Sequence, residues 1–96
     1  EATMIPLETA EIGLNALSIA KDMVKLSNKN ALSDCGVGSL MIHSGIKGAL
    51  LNVKTNLQGL KDETLVASLI KRCERIENDA TSYHKSIMEM VEELMG

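Results

Sequence analysis

Three polar residues on a stripe of small residues have the types and spacing to do chemistry. Projected at 100° per residue, Asp34, Asn52 and Asn56 share a helix face with Gly38, Met41, Gly45, Gly48, Ala49 and Gly59, within an arc of roughly 100°. A carboxylate in a poorly hydrated pocket can be tuned to give or take a proton. Two amides four residues apart offer donors and acceptors that do not titrate. Glycines inside a helix each cost roughly 1 kcal/mol against alanine, so the stripe needs a compensating role. One role is a wall on which a flat ligand lies, with Asp34, Asn52 and Asn56 as its hydrogen-bonding groups. The other is close helix approach, with Ser33 or Asp34 as an N-cap and the two amides as hydrogen-bond glue between helices.

Other reactive residues form no such pattern. Cys35 and His43, and Cys73 and His84, match no familiar ligand spacing, so no metal site is expected. Gly36-x-Gly38 could cradle a phosphate at a helix start, but Asp34 beside it repels an anion. His43 reads as a solvent-side helix residue, and Tyr83 and the methionines as core. The two cysteines read as reduced, buried small hydrophobes of a cytoplasmic protein.

The elements that position these residues are helical. The 96 residues include one Tyr, no Phe or Trp and six Met, so the core of this single small domain must be aliphatic. Net charge is −3 and the ten Lys and Arg are dispersed, which argues against a nucleic-acid partner. No apolar run is long enough to span a membrane. The chain opens on Glu1 with no initiator Met, which suggests excision from something longer.

The first helix is expected from Pro6 to about Leu26, its apolar arc so wide that it needs cover on two sides. Ser27 to Leu32 is the first connection. The second helix runs from about Asp34 to Gln58, with Gly59 as its C-cap. It carries one apolar arc of Ile42, Ile46, Leu50, Val53 and Leu57, another of Val37, Leu40 and Leu51, and a narrow wet strip of His43, Lys47 and Lys54. The third helix starts near Asp62 and continues to the C-terminus, with a heptad seam of Val66, Leu69, Cys73, Ile76, Ala80, Tyr83, Ile87, Met90 and Leu94. Three such helices cannot surround their own middle member. The expected fold is therefore all-α, three long helices forming part of a larger antiparallel bundle, completed by oligomerisation or by a missing N-terminal half.

The run Ser33-Asp34-Cys35-Gly36-Val37, then Gly48-Ala49-Leu50-Leu51-Asn52-Val53-Lys54-Thr55-Asn56-Leu57 and Leu60-Lys61-Asp62, resembles the central signature of the folate cyclodeaminase and methenyltetrahydrofolate cyclohydrolase family. Ile5-Pro6-Leu7 and the region of Asn28 are also similar to that family's preceding helix. The resemblance implies an all-helical domain that dimerises and takes a one-carbon-loaded tetrahydrofolate, with no metal. It implies Asp34 as the catalytic carboxylate and Asn52, Asn56, Gly45 and Gly48 as the substrate-binding set. The family's glycine-rich N-terminal stretch has no counterpart here, so residues 1–96 look like the C-terminal portion of one such domain, inactive alone. The contrasting expectation is a non-enzymatic helical module for self-assembly or partner docking.

Overall fold

The computed structural model describes residues 4–96, which form three α-helices. These are α1 (Met4–Val24), α2 (Lys29–Leu57) and α3 (Glu63–Met95), joined by short turns that set neighbours antiparallel. The all-α expectation is met.

Helix α2 begins earlier than the sequence reading put it. Asn28 is its N-cap, with extended backbone and its side-chain oxygen accepting from the Ala31 N–H at 3.0 Å. Ser33 and Asp34 therefore lie inside the helix and cap nothing. The earlier start carries Leu32 into the core, where it is 2% exposed. That burial decides among the capping candidates of the Ser27–Asp34 region. Gly59 does not close α2 in a left-handed conformation, since Gly96 is the one glycine with positive φ among the described residues. The end is instead closed by tight turns, the Gln58 and Gly59 N–H groups donating to the Thr55 and Asn56 carbonyls. Asp62 caps α3 as its position suggests, accepting from the Leu65 N–H at 3.0 Å.

The core is aliphatic. Leu7, Leu17 and Val24 of α1 meet Leu32, Ile46, Leu50 and Val53 of α2 and Cys73, Ala80 and Ile87 of α3. The α3 seam follows the heptad reading from Leu69 to Ile87, then Val91 takes the buried place and Leu94 is left 45% exposed. Among the glycines the tightest approach of a neighbouring helix is at Gly13. A β-carbon there would lie 2.7 Å from Ile46 Cγ1, so this glycine is the notch that lets α1 and α2 come together.

The molecule is a rod of 51 × 17 × 15 Å. At a helix diameter of about 10–12 Å, such a rod leaves every helix with an outer side. On α1 the outer side carries Ile5, Ile12, Ile19 and Met23, with Leu26 exposed in the turn that follows, and on α2 it carries Val37, Leu40, Met41 and Leu51. Within this chain α2 is thus covered along its Ile46–Leu57 arc only, and both wide apolar arcs read from the sequence are half covered.

Candidate functional site

The face of α2 that bears the small-residue stripe points away from the core. Asp34, Gly45, Gly48 and Asn52 are exposed, Met41 is 70% exposed, and Ala49 at the edge is buried. A β-carbon added at Gly38, Gly45 or Gly48 would meet nothing within 4 Å. These glycines therefore serve no helix contact inside this chain, unlike Gly13 and unlike Gly36, which faces Val91 and Met88. The sequence reading missed Gly13, because a lone glycine in an amphipathic helix gives no periodic signal.

Near the C-terminal end of α2 the stripe borders an open groove of 480 Å³ lined by Asn52, Thr55 and Asn56 of α2 and by Ile5 and Pro6 of α1. That volume lies in the usual range of small-molecule pockets, about 300–1,000 Å³. Both amides thus line one shallow, open groove with Ile5 and Pro6 as its apolar wall. The Thr55 hydroxyl donates to the Leu51 carbonyl at 3.0 Å, which leaves its oxygen as an acceptor. Thr55, Ile5 and Pro6 were not singled out in the sequence. Thr55 could have been, since it lies three residues beyond Asn52 on the same side of the helix.

Asp34 is elsewhere. It precedes Asn52 by eighteen residues of continuous helix, about 27 Å at 1.5 Å per residue. One helix therefore presents Asn52 and Asn56 near its C-terminal end and Asp34 toward the other, with Gly45 midway between Asp34 and Asn56 and Gly48 one turn further on. Among the described residues no titratable side chain lines the amide groove, so what these residues offer a ligand there is binding and orientation.

The remaining polar features are engaged within the chain. A cleft of 320 Å³ between α1 and α3 holds Glu11, Arg72, Arg75 and Asp79, and the Arg72 Nε and Nη2 donate to Glu11 Oε1 at 2.8 and 2.6 Å. Lys54 lies on the α3 side of α2, 3.8 Å from Glu77. His43 is not the solvent-side residue expected. It is half-buried and stacks on His84, with ring centroids 4.5 Å apart. Both cysteines are free, and burial pushes the Cys73 thiol up from its ordinary pKa. Among the described residues no buried side-chain nitrogen or oxygen lacks a partner, no helix is long and apolar enough to cross a membrane, and no three acidic, His or Cys side chains gather as metal ligands.

The comparisons with known proteins identify the family. The profile of the formiminotransferase-cyclodeaminase family matches residues 1–75. The chain belongs to this family. Over 90 residues, 94% of the chain, it is 30% identical to a methenyltetrahydrofolate cyclohydrolase of Methylorubrum extorquens, covering 43% of that protein. Over 91 residues, 95% of the chain, it is 31% identical to a formimidoyltransferase-cyclodeaminase of Dictyostelium discoideum, covering 17% of it. The chain thus spans less than half the length of these family members. The matched region contains the whole of α2, with Asp34, Gly45, Gly48, Asn52 and Asn56.

Proposed function

We propose that the outer face of α2 is the folate-binding wall of a one-carbon enzyme. The substrate is a tetrahydrofolate whose carbon bridges or will bridge N5 and N10, and this chain is part of a larger helical domain. Two conversions suit that substrate. In one, N10 of 5-formiminotetrahydrofolate attacks the formimino carbon, the N10 proton and one more from solvent pass to the formimino nitrogen, and its bond to carbon breaks, releasing ammonia and leaving the 5,10-methenyl cation. In the other, water adds to the methenyl carbon and the ring opens to 10-formyltetrahydrofolate. Both need a group that moves a proton and neutral groups that hold the pterin in orientation. Asn52 and Asn56 suit the second task, with Gly45 and Gly48 letting a flat ring lie against the backbone. Asp34 suits the first.

The single observation that carries this reading is the gathering of Asn52 and Asn56 on one groove beside Ile5 and Pro6, in which no acid or base lies among the described residues, within the region that matches the family. The groove needs a proton-moving group from another polypeptide segment. A second copy supplies it economically. Asp34 and Asn56 lie eleven residues either side of Gly45, so two α2 helices crossing antiparallel at Gly45 bring Asp34 of one copy opposite Asn56 of the other. The exposed Ile5, Ile12, Ile19 and Met23 beside this face favour such association. The free thiols suit a reducing compartment, the cytoplasm. The purely associative reading rests on the same apolar exposure, but gives the amide groove no role.

The test uses the full-length protein and both folate substrates. Asn52→Ala and Asn56→Ala should each lower kcat/KM for the conversion it catalyses by about tenfold or more, the loss of a hydrogen bond or two to the pterin. Values within twofold of the parent in both variants would contradict the proposal.

A further inference from the structure

His43 and His84 are the two histidines of the chain, and nothing in the folate reading uses them. They meet at the seam between α2 and α3, with ring centroids 4.5 Å apart and planes inclined by 29°. Each ring has one polar contact across the seam. His84 Nδ1 is 2.7 Å from Ser39 Oγ, and Ser39 is 1% exposed. His43 Nε2 is 3.4 Å from Thr81 Oγ1. The contacts reach in both directions, from α3 to Ser39 and from α2 to Thr81, so the stacked rings tie the two helices at one level.

The charge state of such a pair matters to packing. One imidazolium on a neutral ring is tolerated, and its Nδ1–H can still donate to the serine oxygen. Two imidazolium rings at this separation repel each other, with little water between them to screen the charge. The charged group facing His43 from its own helix is Lys47, which adds to the repulsion, and from α3 it is Glu77, which opposes it. Glu77 is also within 3.8 Å of Lys54, which offsets part of its relief. From these contacts we propose that the His43–His84 stack is an acid-sensitive clasp, holding α2 on α3 while at most one ring is protonated and loosening the seam when both are.

The sign follows from linkage. Burial first, then the His84 ring, then Lys47 hold His43 below the ordinary imidazole range. The unfolded chain then binds more protons than the folded one as pH falls below about 6.5. Stability is therefore full above that pH and is lost as pH falls through the folded value.

The clasp is tested by following the His43 ring signals by NMR in the protein and in His84→Gln, and by melting the protein and His43→Phe from about pH 7.5 to about pH 5. Phenylalanine keeps a flat ring on His84 but cannot charge. The expected results are a His43 midpoint below the ordinary imidazole value that rises in His84→Gln, and a loss of thermal midpoint on acidification that is about halved or less in His43→Phe. Should His84→Gln fail to fold because Ser39 loses its partner, the melting comparison decides alone. Parallel pH profiles for the protein and His43→Phe, or a His43 ring titrating at the ordinary value, would overturn the proposal.

Discussion

Asp34 and Asn56 share the outer face of α2 but stand twenty-two residues apart on it, eleven to either side of Gly45. At 1.5 Å per residue that is about 33 Å, beyond any contact with one reacting carbon. A composite site in which each copy lends one of the two residues resolves the separation, and it makes a quantitative prediction.

Asp34→Asn and Asn56→Ala, each made in the full-length protein, should both fold and both lose most of their turnover, Asp34→Asn by orders of magnitude. When the two inactive proteins are mixed and allowed to exchange subunits, half of the dimers are mixed and each holds one intact pair. Activity should return to about a quarter of the parent value. Activity that stays at the level of the separate variants would show that the two residues do not work across copies.

The glycines separate a close contact from an open face. Gly13→Ala pushes a methyl to within 2.7 Å of Ile46 Cγ1, and overpacking of this kind costs about 1–3 kcal/mol against a helix-propensity gain of about 1 kcal/mol. The melting midpoint should fall or stay level. Gly45→Ala and Gly48→Ala meet nothing within 4 Å inside the chain, so the dissociated chain should gain about 1 kcal/mol from each. The same two changes should weaken association, which sedimentation at graded concentrations reads directly.

The start of α2 is tested by its cap. Asn28→Ala removes the acceptor of the Ala31 N–H and should cost about 1 kcal/mol in urea unfolding. Asp34→Ala, inside the helix, should be neutral or slightly stabilising, because alanine has the better propensity. A larger loss at Asp34 than at Asn28 would restore the later helix start.

Much of this was legible in the chain because helical periodicity is a strong local signal. The α3 seam from Leu69 to Ile87, the start of α3 near Asp62 and the burial of Ile46, Leu50, Val53 and Leu57 were all legible in the local pattern. The start of α2 did not, since Ser27, Asn28, Ser33 and Asp34 all have capping side chains and only the burial of Leu32 selects Asn28. The candidate site was legible as a face but not as a distance. An angular projection sets Asp34 beside Asn52 and discards the rise that separates them. The notch at Gly13 and the His43–His84 stack depend on partners thirty or more residues away, which no local pattern carries.

The central claim is that the groove of Asn52 and Asn56 holds a reduced folate, and thermal protection measures it most directly. At a folate concentration a hundredfold above Kd, the full-length protein should gain about 2.7 kcal/mol and melt several degrees higher, and Asn52→Ala and Asn56→Ala should lose most of that rise at the same concentration. An equal rise in protein and variants, or none in the protein at saturating folate, would contradict the account.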